Sequence, residues 1–320
     1  MKGIVVRSLI LTFCFLADFN TFVAMSDSYL TLLPEKLETR DLHGYLLGAV
    51  GPRPIAFAST VDGAGNPNLA PFSFFNVFSA NPPILIFSPA RRVRDNTVKH
   101  TLENVLETRE VVINVVSHAM VQQMSLASTE YDRGVNEFVK AGFTMLPSEV
   151  VKPCRVGESP VQFECEVTKV EPLGEAGGAG NLIFSKVVRI HISKAVLTET
   201  HALDPVKLDL VARMGGNWYS RSIQGLFEVP KPLTAQGMGV DLIPEAIRKS
   251  PVLTGNDLGM LGNFQRLPTQ EEIAEFLEAH PEFQSLLNAS DERQIHAQAK
   301  AFLHQNDVEA AWKILLAEKA

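Results

Sequence analysis

Residues 88–97, SPARRVRDNT, hold three arginines, Arg91, Arg92 and Arg94, with a hydroxyl at Thr97. The spacing predicts a helix starting near Asp95. Asp95 and Asn96 are good N-cap types, and Val98, Leu102, Val105 and Leu106 recur at helical intervals. Free N–H groups at a helix start favour an anion, and guanidinium forks match phosphate oxygens. A phosphate cradle is one reading of this stretch; a solvated loop with ordinary capping is the other. Residues 68–79, NLAPFSFFNVFS, mix Phe72, Phe74, Phe75 and Phe78 with Ser73, Asn76 and Ser79. A flat heteroaromatic ligand needs ring contact and edge donors together. A barrel strand packed on one face uses the same residues. His191 interrupts a β-prone run and reads either as a satisfied core or edge histidine or as a proton donor beside a redox centre.

Other chemistries lack their residues. There is no GxSxG elbow, no HExxH helix and no Walker A motif. Gly63-Ala64-Gly65 lies between two predicted strands and Gly178-Ala179-Gly180 precedes one, so both read as hairpin turns rather than dinucleotide fingerprints. Cys14, Cys154 and Cys165 form no CxxC pair or metal cluster and read as reduced structural residues. The net charge of −7, without a long basic run, argues against a nucleic-acid partner.

The elements that must position these groups are mostly strands. Residues 54–62, 68–79 and the run ILIFS after Pro82-Pro83 are closely spaced and β-prone, as in a barrel or sandwich. The strand VVINVV at 111–116 precedes a short helix through Met120 and Met124. Strands at 162–170 and 181–192 flank a glycine-rich loop. After about Pro232 the composition changes. Thr269-x-x-Glu272 makes a capping box, followed by Ile273, Phe276 and Leu277 on one face; Val308, Ala311, Trp312 and Leu315 mark another amphipathic helix. Three segments are expected: a leader or upstream extension at 1–24, a core domain at 25–232 and a helical extension at 233–320. Lys2 and Arg7 before the apolar run 8–16 look like a signal peptide, but the small-x-small cleavage site is missing and Met25 opens an ordinary polar start. A cytoplasmic location is therefore expected, with export by the first residues left open. No other segment approaches the roughly 20 apolar residues that span a bilayer.

Residues 53–89, RPIAFASTVDGAGNPNLAPFSFFNVFSANPPILIFSP, resemble the FMN-binding part of the flavin-reductase-like family. The likeness continues in order through RDNTVKHTLENV (94–105), GVNEF (134–138), SPVQFEC (159–165) and ARMGGNWY (212–219), spanning residues 40 to 230. It implies a mainly β fold with helices, an FMN-binding split β-barrel, usually a homodimer with flavin at the subunit interface. It implies hydride transfer from NADH or NADPH to flavin, with electrons passing to a small-molecule acceptor or a partner oxygenase; in some members the flavin stays bound. By position, Ser59 and Thr60 become flavin contacts. Ala70, Pro71, Phe72 and Ser73 approach the isoalloxazine and Asn76 its polar edge. Ser88, Arg91, Arg94 and Thr97 hold the phosphate, His191 sits near the nicotinamide, and Trp218 and Tyr219 cover the flavin or pack between subunits.

Overall fold

The computed structural model describes residues 28–229, 236–289 and 291–317; the expected leader and the composition change at Pro232 lie outside the described residues. The chain forms two compact units, one ending at Leu226 and the other beginning at Phe227. The first contains α1 (Thr39–Ala49), β1 (Ala56–Val61), β2 (Pro67–Phe72), β3 (Phe75–Ala80), β4 (Pro83–Phe87), α2 (His100–Thr108), β5 (Glu110–Asn114), α3 (Val121–Leu126) and α4 (Glu137–Ala141). It continues with the short β6 (Met145–Leu146) and β7 (Arg155–Val156), then β8 (Val161–Pro172), β9 (Asn181–Ile192), α5 (Pro205–Leu208), β10 (Val211–Arg213) and β11 (Tyr219–Arg221).

Seven strands form one antiparallel sheet in the order β2-β1-β5-β8-β9-β4-β3. Its two edges, β2 and β3, are consecutive in the chain and separated only by Ser73 and Phe74. With Cα atoms about 3.8 Å apart along the chain, so short a link forces the sheet to curl until its edges meet. The result is a barrel split between β2 and β3. The expected single extended run over 68–79 is thus corrected to two strands with a corner at Ser73-Phe74, and that corner carries the chain from one sheet edge to the other.

Turn chemistry holds the hairpins. The Asp62 carboxylate accepts from the Ala64 and Asn66 amides, closing the β1–β2 turn. The β8–β9 loop needs Gly178 at φ +94°. Inside, alternate residues serve two cores. Phe57, Leu69, Met120, Met124 and Phe138 pack together on one side. Ala56, Ala58, Leu85, Phe87 and Ile113 meet α2 through Leu102 and Val105 on the other. Each such large side chain contributes roughly 1.5–3 kcal/mol by leaving water.

The helix after the arginines starts later than its capping residues suggest. α2 begins at His100, and Asp95 and Asn96 belong to a turn instead. The Asp95 carboxylate accepts from both the amide and the hydroxyl of Thr97, and Asn96 adopts φ 58°. Arg91 donates to the side-chain and backbone oxygens of Asn96. Local side-chain bonds of this kind compete with helix formation, and here they win.

The second unit is helical: α6 (Glu245–Arg248), α7 (Gly255–Gly262), α8 (Gln270–Ala279), α9 (Gln284–Asn288), α10 (Glu292–His304) and α11 (Val308–Leu316). The expected Thr269/Glu272 capping box is present, and Thr254/Asp257 forms a second. Trp312 is fully buried among Leu261, Ile273 and Ile295, its indole N–H donating to the Leu261 carbonyl at 3.1 Å. No described helix of the protein is long and apolar enough to cross a membrane.

Candidate functional site

The corner of the split barrel opens into a cavity of about 570 Å³. Pro71, Phe72, Ser73 and Phe74 form one wall. The Ser88 amide donates to the Phe74 carbonyl at 2.9 Å, which sets the end of β4 beside the corner and adds Ser88 and Ala90 to the lining. Ser88 Oγ accepts the Asn181 amide at 2.9 Å, so its own proton is left to donate. A Cβ at Gly180 would come within 2.6 Å of that oxygen, so only glycine lets the β8–β9 hairpin approach this closely.

The facing wall comes from α1 and the β10–β11 ribbon, through His43, Leu47, Arg213, Asn217 and Tyr219. Arg53 clamps these elements together: Nη1 donates to the Leu47 and Val50 carbonyls at the C-terminus of α1, and Nη2 donates to the Met214 carbonyl at 3.0 Å. Carbonyls at a helix end lack intrahelical partners, and a cation suits them. Burial, then the nearby Arg213, pushes the Arg53 guanidinium below its usual range. Arg213 in turn stacks over the Tyr219 ring at 4.6 Å.

Ser125, Ser128 and Lys99 close the remaining end; the Lys99 ammonium pairs with Glu130 at 3.3 Å and the Ser128 hydroxyl donates to the Ser125 carbonyl at 2.6 Å. Lys99 is the N-cap of α2 and supplies no side-chain cap. The positive end of the α2 dipole is therefore at a residue that lines the cavity.

Of the residues expected at a site, Pro71, Phe72, Ser73, Ser88 and Tyr219 meet in this cavity. The others are placed elsewhere. Ser59 is fully buried in β1, its hydroxyl without a hydrogen-bond partner among the described residues. Thr60 accepts from the Asn68 and Asn104 amides in an internal network beneath α2. Ala70 is half-buried in β2, and Asn76 is exposed on β3 with its side-chain oxygen accepting the Val77 amide. Trp218 is 76 % exposed. Arg91 is bonded to Asn96, and Thr97 to Arg92 and Asp95. Arg94 pairs with Asp95 at 3.0 Å and Glu130 at 2.5 Å.

Glu130 gathers three cations, Arg92 at 2.9 Å, Arg94, and Lys99 at 3.3 Å. The hydrogen bond from Arg92 leads in holding its carboxyl down to about 2, with Arg94 and Lys99 adding to it. His191 lies apart from the cavity, with Nε2 2.6 Å from Oε1 of the fully buried Glu164. Burial alone would push the Glu164 carboxyl up; the amides of Glu149, Val150 and Val151 together with His191 outweigh it and hold it below its ordinary value.

Lining residues that motif reasoning passed over are His43, Leu47, Lys99, Ser125, Ser128, Arg213 and Asn217. Lys99, Arg213 and Asn217 sit inside blocks of recognisable sequence, which was the available signal. His43 and the two serines carry none. A ring-bearing phosphate such as FMN fits this chemistry: the cavity is of small-ligand size, apolar at Phe72, Phe74 and Leu47, and rich in donors at Ser88, Lys99 and Ser125.

Comparison with known proteins follows the same lines. Residues 49–208 match the flavin reductase like domain. An uncharacterized protein of Aquifex aeolicus (strain VF5) is 39% identical over 181 residues, 57% of this chain and 90% of its own length. Nitrilotriacetate monooxygenase component B from Bacillus cereus superposes with a TM-score of 0.60 at 28% identity, covering 64% of this chain and all of that one. A split-barrel protein of Shewanella frigidimarina NCIMB 400 gives 0.53 at 24% identity, over 62% of this chain and 96% of its own, and that likeness carries the fold alone.

Proposed function

The chain belongs to the flavin reductase like family, and from that premise we propose that it binds FMN in the corner cavity and moves hydride from NADH or NADPH to it, the electrons passing to a further acceptor. The single observation that carries this reading is the cavity's division into an aromatic corner and a cationic, hydroxyl-lined end. FMN supplies the two-electron chemistry when bound; the protein supplies binding, orientation and electrostatics. Phe72, Phe74 and Tyr219 bracket the ring, and Arg213, held over Tyr219, adds positive charge on that side. Lys99 and the first amides of α2 take the phosphate, with Ser88 and Ser125 donating hydroxyl protons. Arg91, Arg92 and Arg94 shape the loop from behind through Asn96, Thr97 and Glu130.

The working form is a homodimer. Support comes from apolar side chains left in water beside the cavity walls: Val77 and Phe78 on the edge strand β3, and Tyr45 and Leu46 on α1, all more than half exposed. The likeness to a monooxygenase component supports an oxygenase partner as one destination for the electrons.

The test is spectroscopic. Purified protein is titrated with FMN, then given NADH or NADPH without oxygen. Bleaching of the flavin band at a catalytic rate is expected. Bound FMN that neither nicotinamide reduces makes the protein a flavin carrier instead, and absence of FMN binding ends the proposal.

A further inference from the structure

A second cavity, about 300 Å³, adjoins the first and shares Ser125 and Tyr219 with it. One wall joins His118, on a short 3-10 turn, to Val121, Gln122 and Ser125 of the following α3. The opposite wall is the β10–β11 ribbon, through Val211, Ser220 and Arg221, with Gln224 just beyond. Val121, Val211 and the Tyr219 ring make an apolar strip. Among the described residues, none of the lining side chains is a carboxylate.

Arg221 is fixed from behind. Its Nε donates to Asp209 Oδ1 at 2.8 Å and its Nη2 to Oδ2 at 2.7 Å. This bidentate pair, first among its causes, holds the Asp209 carboxyl below its usual range, with Arg221 and His118 adding attraction through space. It uses one edge of the guanidinium and locks its plane. The Nη1 donors, and the side-chain amides of Gln122 and Gln224, make no hydrogen bond among the described residues. A guanidinium locked by Asp209 with its Nη1 edge open, the exposed amides of Gln122 and Gln224, an apolar strip and a lining without a carboxylate form a receptor for a carboxylate attached to a small apolar body.

We infer that this cavity binds a small organic carboxylate, the second substrate, whose body lies against Tyr219 next to the flavin. The site follows from the lining; its role as a second-substrate site rests on the flavin reading above.

Benzoate and benzamide are the probes, titrated calorimetrically into the full chain with and without FMN. Benzoate should bind saturably in the millimolar range, and benzamide, which lacks the charge, at least about tenfold more weakly. Gln122→Leu should weaken benzoate severalfold without moving the melting temperature, since Gln122 holds nothing inside the protein. Arg221→Gln should abolish binding, but it also breaks the Asp209 pair, so Gln122→Leu carries the test. Benzoate should also perturb the visible spectrum of bound FMN. Non-saturating benzoate, benzamide binding as tightly, inorganic phosphate displacing benzoate at equal concentration, or an indifferent Gln122→Leu variant would each overturn the inference. FMN binding without benzoate binding sinks this inference alone; benzoate binding without FMN binding sinks the flavin reading and keeps the site.

Discussion

Two cationic regions of the barrel lie a few residues apart and are placed differently. The loop at Arg91, Arg92 and Arg94 has the higher charge density, yet its guanidinium groups are committed to Asn96, Thr97, Asp95 and Glu130. Lys99 shares Glu130 with that loop, at 3.3 Å, but it also lines the cavity and sits where α2 begins without a side-chain cap. Charge density along a chain therefore does not say which cation reaches a cavity. Pairing does not separate the two either, since Arg92, Arg94 and Lys99 all meet Glu130; position at the cavity wall does, because Lys99 lines the cavity and the arginines do not. A bound anion at that wall would meet Lys99 and the start of α2 together.

The contrast breaks most directly at Lys99. Lys99→Ala should weaken FMN roughly ten- to a hundredfold, the usual worth of a charge-assisted contact, while barely changing riboflavin, which lacks the phosphate. Parallel fluorescence titrations of the two ligands check it; equal losses for both would place Lys99 elsewhere in the site. Glu130→Gln acts in the opposite sense. It releases Lys99 from a 3.3 Å ion pair and should tighten FMN by about two- to fivefold, a partial gain for a solvent-screened pair. Weaker FMN binding in that variant would mean that Glu130 positions the cations rather than competing for them. Arg94 is 68% exposed and paired on both sides, so Arg94→Ala should change FMN affinity by less than about threefold, as for other exposed ion pairs. A tenfold loss would return the phosphate to the arginine loop.

The smallest effect is one of acidity. Glu130 titrates near 2 in the folded chain against an ordinary 4.5, the Arg92 bond leading. A depressed carboxylate stabilises the fold above its unfolded value, and that contribution is lost as pH falls through the folded one. The melting temperature of wild type should exceed that of Glu130→Gln above pH 4.5 and converge with it towards pH 2, and added salt should shrink the gap. A gap independent of pH would show that the ion pairs are not its source.

Part of the site was legible in the chain because it is carried by local pattern. The mixed aromatic and hydroxyl run places Pro71, Phe72 and Ser73 at the cavity, and Ser88 follows the next β-prone run. His43, Ser125 and Ser128 were not legible: each is an ordinary residue on or beside a helix, and nothing near it in sequence marks the wall it completes. Ser59 and Thr60 show the reverse case. Strand periodicity assigns each to a face of β1, but not what covers that face; both are fully buried, Thr60 beneath the amides of Asn68 and Asn104.

The sequence by itself determined the β-prone runs that make β1, β4, β5, β8 and β9, the turns at Asp62 and Gly178, the capping box at Thr269 and the apolar face around Trp312, because each depends on residues within a few positions of one another. The tertiary structure alone decided that β2 and β3, neighbours in the chain, become opposite edges of one sheet, and that Arg53 ties α1 to the ribbon near Met214. Those outcomes are settled by competition between partners far apart in sequence. Such a competition is decided only when the whole sheet closes and each polar group takes the partner that then lies within reach.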